Sequence, residues 1–188
     1  MAQRFEIRLS GEGGQGLILA GIILAEAAAM YDGKNAVQSQ SYGPEARGGF
    51  SKSEVIISDG DIDYPKATRV DFLLALTQEA CDQYCKDLKD GGILLADSTL
   101  VTKLPQGPFK IFTIPILDTA ANDLGKSVVA NIVALGATVG LTGVVSEEAI
   151  EKAVLAKVPR GTEDLNKRAL HTGLTMAKKL KQSSAEPH

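Results

Sequence analysis

The sequence predicts an α/β fold: Rossmann-like, three-layered, with a mostly parallel sheet, at least one antiparallel strand pair and a helical C-terminal third. Three observations carry this. Short apolar runs of strand length alternate with helix-length segments over the first 115 residues, the pattern that places helices on the faces of a sheet. Between residues 41 and 58 a loop leads straight into a strand with no helix, so one neighbouring pair must run antiparallel. From Val128 onward the remaining pattern is helical.

Each element has its own signal. Phe5–Leu9 alternates apolar and polar residues, as a half-buried strand does. Leu17–Met30 is rich in Ala, Leu and Ile and apolar nearly all round, so it reads as a buried helix, closed by the turn Asp32-Gly33. Ala36–Ser41 and Glu54–Ser58 are the next strands, with Tyr42–Gly49 as a loop between them and Asp59-Gly60-Asp61 as a turn after. Val70–Leu76 is continuously apolar and reads as a central strand. Thr77 caps a helix expected to run to about Leu88 and to stop at Asp90-Gly91-Gly92. Ile93–Ala96 and Lys110–Ile114 are strands, ended by Asp97-Ser98 and Pro115. Val128–Leu141 is a helix of small residues. Ser146 opens the helix Glu148–Ala156, and Thr162-Glu163-Asp164 opens a last helix to about Leu180, where Lys178, Lys179 and Lys181 would complement the helix dipole. Residues 1–182 are expected to form a single domain, with residues 183–188 as a disordered polar tail.

Bulk properties exclude several function classes. The 188 residues carry a net charge of -3, which gives no electrostatic support to nucleic-acid binding. The longest apolar run, Leu17–Met30, is interrupted by Glu26 and falls short of the ~20 residues a membrane span needs. It has no basic segment before it of the kind a signal peptide carries, so a cytoplasmic location and no membrane partner are expected. Cys81 and Cys85 are the two cysteines; at i, i+4 they share a helix face, read as ordinary buried thiols, and are too few for an iron–sulfur cluster. His171 and His188 are far apart, and no metal site is expected. No histidine neighbours a serine or cysteine by motif, and no G-x-S-x-G or Walker lysine occurs, so no catalytic residue is assigned.

Two segments suggest chemistry. Gly11-Glu12-Gly13-Gly14-Gln15-Gly16 fits G-x-G-x-x-G between a strand and a helix. Glycines there expose backbone N–H groups at a helix N-terminus, which favours phosphate or carboxylate. A dinucleotide site would also need an acid at the end of the second strand, ~20 residues on. That strand ends at Gln40-Ser41, so a nicotinamide cofactor is disfavoured. A tight turn made by the glycines alone is the plain alternative. The second segment is Ser41-Tyr42-Gly43-Pro44-Glu45-Ala46-Arg47-Gly48-Gly49. It puts a guanidinium suited to carboxylate or phosphate beside flexible backbone, although a surface loop with a solvated ion pair fits equally. Both segments follow strand ends and should share the carboxyl edge of the sheet, where ligands bind open α/β sheets. Asp97-Ser98-Thr99 reads as a strand-end turn. Asn131 is a polar residue at the start of an apolar helix, placed either to bridge to the loops or to sit as a satisfied buried amide.

Together the two loop motifs, with Asn131-Ile132-Val133-Ala134-Leu135-Gly136 as a third, resemble the gamma subunit of 2-oxoacid:ferredoxin oxidoreductases over about residues 3–180. The shortness of the chain and Ile62-Asp63-Tyr64-Pro65 are most similar to the 2-oxoglutarate branch, with the pyruvate, branched-chain and indolepyruvate branches as alternatives. The resemblance implies alpha, beta and ferredoxin-like delta subunits as partners and ferredoxin as acceptor. It implies thiamine diphosphate, Mg2+ and iron–sulfur clusters held by those other subunits, and coenzyme A as co-substrate. The reaction implied is oxidative decarboxylation of a 2-oxoacid to acyl-CoA, carbon dioxide and reduced ferredoxin. The isolated chain would be inactive and free to self-associate as a homodimer. The site residues it implies are Gly11, Gly13, Gly14, Gln15, Gly16, Ser41, Tyr42, Gly43, Glu45, Arg47, Gly48, Gly49 and Asn131, with Arg47 as the anion contact. A purely structural assembly subunit is the competing role.

Overall fold

The computed structural model describes residues 3–42 and 49–185. Six strands form one sheet in the order β2-β3-β1-β4-β5-β6. They are β1 (Arg4–Glu12), β2 (Asn35–Tyr42), β3 (Phe50–Ser58), β4 (Val70–Ala75), β5 (Leu88–Asp97) and β6 (Lys110–Ile114). β3 pairs antiparallel with both β1 and β2, and the other strand pairs are parallel, so β3 alone opposes the common direction. The expected antiparallel pair is thus found, and the sheet is otherwise parallel.

One sheet face presents Ile7, Leu9, Val55, Ile57, Phe72 and Leu74 to four helices. These are α1 (Leu17–Glu26), which continues as a π-helical turn Ala27–Tyr31, and then, after a short α3 (Ile116–Asp118), the helices α4 (Ala130–Thr142), α5 (Glu147–Lys157) and α6 (Glu163–Ala185). α4 and α6 touch backbone to backbone. A Cβ on Gly136 would lie 2.2 Å from the Leu170 carbonyl oxygen, and one on Gly173 2.0 Å from that of Val133. The small residues of the predicted Val128–Leu141 helix therefore serve this approach. The opposite sheet face, with Ile56, Leu73, Ala75, Leu94 and Ala96, is covered by α2 (Gln78–Tyr84) and by loop residues such as Ala67 and Val101.

Thr77 and Ser146 cap α2 and α5 as expected, each accepting from the amide three residues on. Several expectations are corrected. α2 ends at Tyr84 with a 3-10 turn at Cys85–Asp87, and Leu88 already begins β5 opposite Val70. Asp90-Gly91-Gly92 forms an irregularity within β5 instead of a helix stop, with Gly91 at φ 77° and its N–H on the Pro108 carbonyl. Burial of Leu88 in the second core outweighs its helix propensity. α6 continues to Ala185, so residues 183–185 are helical, with Ser183 and Ser184 hydroxyls on carbonyls one turn back. Lys178 and Lys181 consequently lie inside the helix; they reach Glu147 and the Gly140 carbonyl. α1 is not buried all round: Leu19 is 37% and Met30 68% exposed. The polar side of β1 is covered as well. Arg8, 3% exposed, pairs with Glu54 and Asp87 and lies 5.0 Å from the centre of the Tyr84 ring. Alternation in sequence marked two different faces, and only tertiary contact revealed that both are buried.

Candidate functional site at the carboxyl edge

β1 runs further than its alternating pattern suggests. Gly11 and Glu12 are still paired, with Ser51 and Phe50, so the turn proper is Gly13–Gly16. The glycines have separate reasons. Gly14 and Gly16 adopt φ 87° and 74°, the left-handed region that side chains avoid. Gly11 leaves room for Gln15, whose Oε1 lies 2.2 Å from where a Cβ would stand. That Oε1 accepts from the Glu12 amide at 2.7 Å, folding the side chain back over its own loop. Gly13 shows neither constraint: among the described residues a Cβ there would meet only the Gly49 carbonyl oxygen, at 3.7 Å.

The second segment reaches the same edge. β2 flanks β3 on the side away from β1 and runs in the direction of β1, so Tyr42 lies opposite Ser51 while Glu12 lies opposite Phe50. The Gly13 N–H donates to the Gly49 carbonyl at 3.3 Å, joining the two segments directly. Ser41 is exposed beside them. Gly43, Glu45, Arg47 and Gly48 lie outside the described residues, as does the side chain of Tyr42.

Asn131 bridges rather than merely sitting satisfied. On the first turn of α4, 5% exposed, it donates Nδ2–H to the Gly16 carbonyl at 3.1 Å. It thereby ties the start of α4 to the start of α1. Neither helix has a side-chain cap or an acidic residue in its first turn. The first amides of α1 are thus open to a negatively charged group, while the first amide of α4, that of Ala130, is held by the Ser127 carbonyl in a preceding 3-10 turn.

Asp97 closes the edge on the other side as a turn residue. Its fully buried carboxylate accepts from the amides of Thr99, Leu100 and Leu117 and so ties the segments after β5 and β6 together. Two exposed apolar residues on this edge escaped the sequence reading: Leu100 at 45% and Val128 at 77%. Leu100 is an isolated apolar residue in a turn and Val128 stands in a continuous apolar run at a helix start, so no periodicity marks the exposure of either.

The edge offers backbone amides, carboxamides and hydroxyls, the equipment of binding and positioning. Among the described residues no three His, Cys, Asp or Glu side chains converge as metal ligands. Cys81 is buried, and burial, reinforced by Cys85 and Asp82 nearby, pushes its thiol up to about 11. The topology also speaks against a dinucleotide fold. There the second strand lies beside and parallel to the first; here the antiparallel β3 occupies that place. No helix among the described residues is long and apolar enough to cross a membrane.

Comparison with known proteins supplies a frame for this geometry. Residues 6–176 match the family model described as pyruvate ferredoxin/flavodoxin oxidoreductase. The chain is 54% identical, over 94% of its length and 96% of the relative's, to 2-oxoglutarate synthase subunit KorC of Methanocaldococcus jannaschii. It is 36% identical, over 92% of its own length, to ketoisovalerate oxidoreductase subunit VorA of Methanothermobacter thermautotrophicus, where the match spans 36% of the longer protein. Among solved structures, the gamma subunit of a keto/oxoacid ferredoxin oxidoreductase from Geobacter sulfurreducens superposes with a TM-score of 0.85 at 64% identity, covering 92% of this chain and 98% of that one.

Proposed function

Because the chain belongs to the pyruvate ferredoxin/flavodoxin oxidoreductase family, we propose that it is the gamma subunit of a 2-oxoglutarate:ferredoxin oxidoreductase and forms one wall of that enzyme's substrate site. The complex would convert a 2-oxoacid and coenzyme A to acyl-CoA and carbon dioxide while reducing ferredoxin. Thiamine diphosphate, Mg2+ and iron–sulfur clusters would be held by alpha, beta and delta subunits and would supply the decarboxylation and electron transfer. This chain's part is to bind and orient. The 2-oxoglutarate assignment rests on the 54% identity to KorC, against 36% to the ketoisovalerate relative.

The observation that carries the wall is the junction of the two loops. The Gly13 amide on the Gly49 carbonyl and the Asn131 amide on the Gly16 carbonyl hold both glycine segments at one edge, over the uncapped start of α1. A preorganised N–H cradle of this kind holds phosphate or carboxylate without reorganisation. Arg47, six residues after the exposed Ser41, would add the charge-assisted contact.

Val128 and Leu100 favour a second reading, in which the edge is an assembly surface, since exposed apolar residues at a polar rim mark protein contacts. Gly13→Val separates the two. Among the described residues its Cβ meets nothing nearer than 3.7 Å, so the fold should survive. In the assembled enzyme, intact subunit stoichiometry with a raised KM for coenzyme A or the 2-oxoacid supports the site role. Loss of assembly supports the interface role. Arg47→Ala should raise one of those KM values about tenfold or more, the effect of losing one charge-assisted hydrogen bond of ~1.5–3 kcal/mol. Unchanged KM for both substrates would remove Arg47 from the site.

A further inference from the structure

The two edges of the sheet are treated very differently. β6 is five residues long, begins with the charged Lys110 and is bracketed by Pro108 and Pro115. Short length, charge and proline are the usual guards of a free edge. β2 has none of them. Its eight residues, Asn-Ala-Val-Gln-Ser-Gln-Ser-Tyr, include no charge and no proline. Only β3 pairs with it among the described residues, and Ser39, Gln40 and Ser41 are exposed. The neighbouring Lys34 does not shield it, because its ammonium is drawn to the Val144 carbonyl at 2.9 Å.

On one face of the sheet this edge adjoins Lys52, Glu54 and Lys66, of which Lys52 and Glu54 neutralise each other at 2.8 Å; on the other face its surroundings are apolar. α1 rests on β3, with Gly21 against Ser53 and Val55, so its outward face borders β2. That face carries Ile18 and Ile22, half-buried, and Leu19, Ala29 and Met30, exposed. Glu26, the one acid of the helix, is turned to Lys157 at 2.9 Å.

We propose that β2 is a homodimer seam, paired antiparallel with β2 of a second copy across a two-fold axis normal to the sheet at Gln38. Such an axis keeps corresponding faces on the same side, so opposite residues must have numbers of equal parity. Centring on Gln38 sets Gln38 opposite itself, Val37 opposite Ser39, Ala36 opposite Gln40 and Asn35 opposite Ser41. Every pair is neutral, and Gln38 meets an amide able both to donate and to accept. The register pairs Asn35–Ser41 and does not include Tyr42. Like charges placed opposite each other across the axis would repel; β2 carries none, so a second copy meets it without repulsion at any position of this register. The two sheets become one of twelve strands, six from each copy.

Gln38 at the axis makes the test sharp. By light scattering on the purified full chain, the wild type should have the mass of two 19.8 kDa chains. Gln38→Lys alone and Gln38→Glu alone should each be monomeric, with unchanged far-UV circular dichroism. An equimolar mixture of the two should regain the dimer, because unlike charges then face each other. A monomeric wild type, such as a strand of another subunit on β2 would leave, overturns the proposal. So does a dimer unaffected by either variant, or one lost without recovery on mixing. Amide hydrogen exchange of the wild type tests it without substitution. β2 amides should gain protection as concentration rises through dimerisation while those of β6 do not; a dimer with unprotected β2 amides refutes the seam.

Discussion

Gly16 and Asn131 should behave as one energetic unit, and a double-mutant cycle measures it. Gly16 sits at φ 74°, and a Cβ added there would lie 2.6 Å from Asn131 Nδ2 and 3.2 Å from its Cβ. Gly16→Ala therefore has two costs: ~1–2 kcal/mol for an alanine in the left-handed region and ~1–3 kcal/mol for the overlap with the amide. Asn131→Ala loses the 3.1 Å hydrogen bond to the Gly16 carbonyl, ~1 kcal/mol, together with some buried packing. In the double variant the amide is gone. The overlap shrinks to the tolerable Cβ contact, the hydrogen bond is lost only once, and the backbone strain remains. The double variant should therefore be ~1–3 kcal/mol more stable than the sum of the single costs, which for a chain of this size is a few degrees of Tm per variant, at ~2–4 °C per kcal/mol. Urea or guanidinium titration followed by circular dichroism gives all four stabilities on one scale. Additivity within ~0.5 kcal/mol would refute the contact, and with it the claim that α4 holds the glycine turn in place.

Two further outcomes follow from the packing. Gly136→Ala should destabilise by ~1–3 kcal/mol or more, because its Cβ has only the rigid Leu170 carbonyl to move, whereas Gly13→Val should change stability little; equal midpoints for Gly136→Ala and the wild type in urea would refute the close approach of α4 and α6. Cys81 should resist alkylation at neutral pH while half-buried Cys85 reacts first, as mass spectrometry of partly labelled protein will show. The sign of its pH effect follows from the raised value. Stability due to the neutral buried thiol is complete below the ordinary value of 9.0 and is lost as the pH rises toward about 11, so Cys81→Ser should flatten the alkaline limb of a stability profile.

Much of the architecture is legible along the chain because it depends on local chemistry. Short apolar runs such as Val70–Leu76 and Ile93–Ala96 mark the central strands, Thr77 and Ser146 mark helix starts, and the absence of a helix between residues 41 and 58 marks the antiparallel pair. Where packing overrules propensity, the sequence misleads. Leu88 looks like the end of a helix and is a strand residue because the second core needs it opposite Val70. The helix Leu17–Met30 looks fully buried, yet its outer side faces away from the sheet.

The candidate site divides in the same way. The glycine spacing, the proximity of the two motifs to strand ends and the polar residue at 131 are visible in the residues themselves, since turn chemistry and helix starts are encoded within a few positions. Three things were decided only by the tertiary structure: that β3 separates β2 from β1, that Gly13 and Gly49 meet through one hydrogen bond, and that Asn131 reaches Gly16 across 115 positions. The physical reason is that local sequence sets which backbone shapes are available, while long-range burial chooses which of them come together. The neutrality of β2 was present in the sequence from the start; that no second strand among the described residues pairs with its outer edge became meaningful only once the sheet order put it at the end.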